Sequence, residues 1–129
     1  MTQSETVEFI NSRVGTELVE HEYVFSPYDA SDSNYIVEIK NRRANYKDPF
    51  LEVNKTLVNL KLAKQLNKHY LYVHQEPSGV YVFNINKLDL NSIYKRFYNV
   101  PATTDFSNNE RVDKEYWVLN KSLASKISI

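Results

Sequence analysis

Cysteine is absent from the chain, which excludes disulfides, thiolate metal sites and cysteine nucleophiles. Any metal must therefore be held by oxygen or histidine. Glycine is scarce too: Gly15 and Gly79 are the only two, too few for a phosphate-cradling loop. This speaks against P-loop nucleotide hydrolysis and dinucleotide binding. No apolar run reaches the roughly 18 residues of a membrane span, and Met1-Thr2-Gln3-Ser4-Glu5 has neither the basic start nor the apolar centre of a signal peptide. The expectation is a soluble, intracellular, cytoplasmic protein with no membrane partner. Neither sign of charge is in excess, with 16 Lys and Arg against 16 Asp and Glu, so indiscriminate coating of nucleic acid is not expected.

A chain of 129 residues is the length of one domain, residues 1–129, and can bury roughly two thirds of its unfolded surface. Its charges are segregated. Residues 1–38 carry eight acids against Arg13 alone, a balance of −7, and the remainder carries eight acids against fifteen bases, a balance of +7. If folding keeps the halves apart, an acidic, cation-collecting pole adjoins a basic surface for phosphates; if they interleave, they cancel.

Residues 3–13 read as a helix, with Ser4 as cap, Glu5 and Glu8 at its positive end, Val7, Ile10 and Val14 on one stripe, and Gly15 as the stop. Residues 16–25 roughly alternate and predict one long strand or two short ones. After a basic connection over 41–47, Asp48-Pro49 opens a helix over about 50–67, with a wide apolar arc (Phe50, Leu51, Val53, Leu57, Val58, Leu60, Leu62, Leu66) to pack across a sheet. Its lysines, Lys55, Lys61, Lys64 and Lys68, read as a solvated face. Two strands, 70–74 and 80–85, form a hairpin through Glu76-Pro77-Ser78-Gly79. A short basic-aromatic helix is expected over 90–98, a loop over 101–109 and a last strand over 114–119. His21, His69 and His74 share no metal-ligand spacing; His69 and His74 flank a strand and read as packed or capping residues.

The richest segment is Phe25-Ser26-Pro27-Tyr28-Asp29, a polar turn over 30–34, then Tyr35-Ile36-Val37-Glu38-Ile39-Lys40. Period-two alternation puts Tyr35, Val37 and Ile39 on one face and Ile36, Glu38 and Lys40 on the other. Pairing Ala30 with Tyr35 across the turn sets Asp29 opposite Ile36, about 7–8 Å diagonally from Glu38. Two carboxylates at that separation can converge on one hard cation, such as a magnesium ion that keeps several waters, with Lys40 beside one of them.

Asp29, Glu38 and Lys40 together resemble the PD-(D/E)xK nuclease superfamily, whose mark is an acid before a turn and an acid-x-Lys on the next strand. Glu38-Ile39-Lys40 is the chain's only such triplet and lies inside an apolar strand. Tyr28 intervenes between Pro27 and Asp29, where the superfamily often has Pro directly before Asp, and this leaves Asp32 as a rival ligand. Asp32 in Ser-Asp-Ser-Asn suits a turn better, so Asp29 is preferred.

The resemblance implies a mixed α/β (α+β) fold with a mixed sheet and a restriction-endonuclease-like α-β-β-β-α-β core, and metal-dependent hydrolysis of DNA phosphodiesters, with Mg2+ as cofactor and Mn2+ substituting. Asp29 and Glu38 would hold the metal with the Ile39 carbonyl and an acid of the first helix, Glu8, its rivals being Glu5, Glu17 and Glu20. Lys40 would orient the attacking water or meet phosphoryl charge. Arg42, Arg43 and Lys47 follow within reach of a phosphate backbone, where surface solvation explains each equally well. Tyr94-Lys95-Arg96-Phe97-Tyr98 interleaves bases with aromatics, as in stacking on nucleobases or in an amphipathic core element. So short a chain would act on DNA structure, as a homodimer on branched DNA, or through a targeting partner. The alternatives are a non-catalytic nucleic-acid-binding or assembly module on the same fold, and an RNA- or single-strand-binding domain using the ten Tyr, six Phe and one Trp.

Overall fold

A computed structural model describes residues 1–22, 26–102 and 109–129. Helix α1 spans Gln3–Val14 and is capped by Thr2 rather than Ser4: the Thr2 side chain accepts from Glu5 N–H while the Glu5 carboxylate takes the Thr2 N–H. Ser4 instead donates to Glu20. The helix ends at Gly15, whose φ of 74° is the left-handed cap that glycine takes without a Cβ clash.

Strands β1 (Val19–Glu20), β2 (Ala30–Ser31) and β3 (Tyr35–Asn41) follow, so residues 16–25 supply one two-residue strand; positions 23–25 of the expected strand lie outside the described residues. Residues β4 (Phe50–Glu52) are extended where a helix is expected from residue 50, because they pair with a later strand, and α2 begins only at Val53 and runs to Leu66. The hairpin β5 (His69–Glu76) and β6 (Gly79–Asn84) forms as expected. Residues 90–98 are not a helix: a 3-10 turn at Leu90–Ser92 leads into strand β7 (Lys95–Pro101), paired along its length with β8 (Arg111–Val118). Alternating charge and aromatic residues fit a half-exposed strand as readily as a helix, and the β8 partner decides it. Residues 103–108 of the expected 101–109 loop lie outside the described residues. A short β9 (Ser125–Ile127) closes the edge beside β6.

The main sheet has the order β1-β2-β3-β5-β6-β9, with β3 and β5 parallel and the other neighbours antiparallel. A second sheet has the order β4-β8-β7. The expected helix, three strands, helix, strand order is present, with β4 inserted before α2. Two cores sit on the two faces of the main sheet. Val37, Ile39, Leu71 and Val73 meet Val7 and Ile10 of α1 on one face. Ile36, Tyr70, Tyr72 and Phe83 meet Ala63 of α2, Leu51 and Trp117 on the other. The alternation read in residues 35–40 therefore holds.

The hairpin register differs from expectation. Ala30 pairs with Val37 and Ser31 with Ile36. Asp32 tightens the turn by accepting from Asn34 and Tyr35 N–H at 2.8 and 2.9 Å and donating its own N–H to the Tyr35 carbonyl, so only two residues remain at the tip. Asp29 lies just before the paired residues, and its N–H donates to the carbonyl of Val37, the partner of Ala30, so it reaches β3 beside Val37 instead of Ile36.

Helix α2 also presents a different face. Val53, Thr56, Asn59 and Ala63 are buried, while Leu57, Val58 and Leu66 are exposed. Thr56 donates to the Glu52 carbonyl and Asn59 Nδ2 to the Pro27 carbonyl, so two hydrogen-bonded polar side chains and a small alanine occupy the inner face, with Asn59 Oδ1 left unpartnered. Among the described residues no helix is long and apolar enough to cross a membrane.

Candidate active site

Glu38 lies on the α2 side of β3 at only 3 % exposure. A carboxylate so deep needs partners. One oxygen, Oε1, has two: Lys55 Nζ of α2 donates at 2.8 Å and Lys40 Nζ, two residues along the strand, stands at 3.5 Å. The other, Oε2, is buried with no hydrogen-bond partner. Burial pushes the Glu38 carboxyl above the usual range, and the nearby Asp29 charge pushes it further, against the pull of both lysines. Burial alone would lower Lys55, but its bond to Glu38 and that residue's charge raise it instead.

Asp29 lies in the bend just before β2 and is fixed by its bonds to β3. Its N–H donates to the Val37 carbonyl, and its Oδ2 accepts the Ile39 N–H at 2.7 Å. This gives Asp29 and Glu38 a common cross-strand neighbourhood. Asp32, the rival, spends its carboxylate on the turn and on Glu17 N–H.

Glu38 opens onto a cleft of about 500 Å³ between the main sheet and the second one. Lys40, Arg42, Lys55 and Glu52 supply its charges, and Tyr46, Phe50, Tyr98 and Tyr116 much of its ring surface. Arg42 sits 5.2 Å over the Tyr46 ring, and its Nε is buried without a partner. The cleft thus holds cations beside one incompletely satisfied carboxylate.

The structure brings Glu38, Lys40 and Arg42 together, with Asp29 close behind. Arg43 is exposed and faces a different depression, with Met1 and Pro77, and Lys47 is exposed outside the cleft. Glu8 is exposed on α1, the helix that packs on the opposite face of β3. Glu5 caps α1 and Glu20 accepts from Gln3 and Ser4. Among the described residues no three acids or histidines converge as a metal cluster, so a cation here would be held by two carboxylates at most.

Lys55 is absent from the sequence-derived site, and it falls in the first turn of a helix only because β4 delays the start of α2 to Val53. A lysine in the first turn of a helix opposes the helix dipole and needs a compensating anion. Beyond the cleft, Glu76 and His74 are fully buried. Glu76 Oε1 accepts from Lys121 at 2.7 Å and His74 Nε2 at 2.9 Å, and Oε2 from Ser78 at 2.7 Å. The Tyr46 N–H also donates to Glu76, and the Tyr46 and His74 rings lie 5.3 Å apart, so this network holds a cleft wall in place. His74 is thus a packed residue, as expected.

No protein-family model matches the sequence, and no curated protein matches it. A solved structure, that of Hjc, a Holliday junction resolvase from the archaeal hyperthermophile Archaeoglobus fulgidus, is similar at a TM-score of 0.58 and 12 % identity, over 94 % of this chain and 93 % of that one. At that identity the likeness is one of fold. The mixed α+β class with a resolvase-like core is therefore the fold of this chain.

Proposed function

We propose, from a resolvase-like fold carrying a buried carboxylate beside two lysines, that the chain is a metal-dependent DNA endonuclease of the PD-(D/E)xK type. The observation that carries the reading is Glu38, which lines a cleft rich in cations and whose Oε2 is buried without a partner. Asp29 and Glu38, with the Ile39 carbonyl, would hold a magnesium ion, which typically uses one or two carboxylates and keeps waters and phosphate oxygens for the rest. When bound, the ion supplies a more acidic water and Lewis-acid stabilisation of phosphoryl oxygens. Lys40 orients the attacking water and meets the charge that develops on the phosphoryl group. Arg42 and Lys55 offer donors to the substrate's phosphates. The water oxygen bonds to phosphorus as the P–O3′ bond breaks, leaving a 5′ phosphate and a protonated 3′ hydroxyl. Branched DNA is the fitting substrate, cut by a homodimer or by a chain brought there by a partner protein.

A nicking assay on linear, flapped and four-way DNA with magnesium or manganese tests this. Cleavage is expected with metal, and Glu38→Gln should abolish both cleavage and calorimetric manganese binding while the fold persists. Unchanged manganese binding in Glu38→Gln would remove the assignment. The Lys55 ion pair, which already fills Glu38 Oε1, favours a second reading: a non-catalytic DNA-binding or assembly module. Salt-sensitive binding with no cleavage of any substrate would put that reading in front.

A further inference from the structure

We propose that the cleft contains a subsite for one unpaired nucleobase, walled by Phe50, Tyr98, Tyr116 and Tyr46, next to the phosphate that Lys40 and Arg42 would meet. This deepens the nuclease reading and rests on it for the phosphate, naming the substrate as DNA with an unpaired nucleotide at the cleavage point.

Strand register puts three of the rings on one surface. Arg96 pairs with Tyr116, Tyr98 with Lys114, Glu52 with Tyr116 and Phe50 with Val118, and directly opposed residues share a face. Phe50, Tyr98, Tyr116, Arg96 and Lys114 therefore project from the same side of the second sheet. The other side sends Leu51 and Trp117 into the core. A three-stranded antiparallel sheet needs only one buried face, so packing does not demand rings on the second. All four rings are half-buried, and none belongs to either core.

The rings form a connected wall in which Phe50, Tyr98 and Tyr116 contact one another pairwise and Tyr46 joins at Phe50. Phe50 and Tyr98 centroids are 4.7 Å apart at 45°, Tyr98 and Tyr116 5.6 Å at 75°, and Tyr46 and Phe50 6.0 Å at 59°. Tilted and edge contacts leave ring faces open to a further planar group. Arg96 lies 4.7 Å from the Tyr98 centroid and Arg42 5.2 Å from that of Tyr46, so cations accompany the rings, as in stacking platforms for single strands. A cleft of about 500 Å³ takes a single nucleotide and not a duplex, whose paired bases stay inside the stack. Within the aromatic-basic run, residues 95–98 thus divide as a strand: Tyr98 lines the cleft with Arg96 over its ring on the same sheet face, and Lys95 and Phe97 lie on the other face.

The test is a fluorescence titration of DNA hairpins carrying one 2-aminopurine, either paired or in a single-nucleotide bulge, in chelator so that no strand is cut. Wild-type protein should quench the bulged probe saturably and bind it more tightly than the paired one. Tyr98→Leu and Tyr116→Leu, checked for native circular dichroism, should each lower affinity for the bulged hairpin by about 5- to 150-fold and leave the paired one nearly unchanged. Equal wild-type affinity for the two hairpins would overturn the proposal, as would a bulge preference that survives in both variants. Because no cleavage is read, quenching without nuclease activity would refute the nuclease reading and leave the base subsite standing. Cleavage with no bulge preference would do the reverse.

Discussion

Glu76 ties the stability of the fold to pH. It is completely buried, which alone would raise its carboxyl; hydrogen bonds from Lys121, Ser78, Tyr46 N–H and His74 outweigh this and hold it down to about 2, against 4.5 when free. The unfolded chain therefore binds a proton between these values that the folded chain refuses. Stability from this group is fully present above pH 4.5 and is lost as pH falls to about 2. At about 1.4 kcal/mol per pH unit, the gap is worth about 3 kcal/mol. Glu76→Gln should accordingly be less stable than wild type by about 3 kcal/mol at pH 7, with the difference closing near pH 2–3. Urea unfolding followed by the fluorescence of buried Trp117 measures it at each pH. His74 acts in the same sense, since burial depresses it from 6.5, so its loss of stability begins at higher pH than that of Glu76. A difference between variant and wild type that is the same at pH 3 and pH 7 would refute the linkage argument. If Glu76→Gln does not fold, Lys121→Met, which removes the 2.7 Å donor, should show the same pH dependence at smaller amplitude.

Four further outcomes follow from the site and the turn beside it. Lys40→Ala should lower the cleavage rate by about 10²–10³ with little change in DNA affinity, whereas Lys55→Met should tighten manganese binding by on the order of 1 kcal/mol because it frees Glu38 Oε1; single-turnover kinetics and calorimetry separate the two. Glu38→Gln in chelator should raise stability at pH 7 by about 0.5–2 kcal/mol, since the raised Glu38 carboxyl makes its ionised form unfavourable. That gain should shrink as acid protonates the wild-type residue, and a gain that grows toward low pH contradicts the sign. Asp32→Ala should cost about 1–2 kcal/mol of stability through its lost turn bonds while leaving manganese binding intact, and lost metal binding would return Asp32 to the ligand set.

What the sequence determined by itself is local. The alternation of residues 35–40 set Glu38 and Lys40 on one side of β3, because a period of two is a property of the extended chain and not of what packs against it. The Asp32 turn, the Gly15 stop and the β5–β6 hairpin were legible for the same reason, each being decided within a few residues. The register of Ala30 was missed by two residues because the Asp32 side chain shortens the turn, a short-range bond that residue spacing alone does not reveal. Which distant groups reach Glu38 depends on long-range packing. Lys55 arrives because β4 delays the start of α2 and polar Thr56 and Asn59 draw that helix inward, leaving Leu57 and Val58 outside. Tyr98 and Tyr116 face the cleft because residues 95–101 pair with β8 instead of coiling, and pairing between strands is a non-local bond whose partner lies beyond any sequence window. Glu8 shows the same physics in reverse: its place near a helix start is local, but α1 packs on the far face of β3, so the acid charge that suits the helix lies away from the cleft.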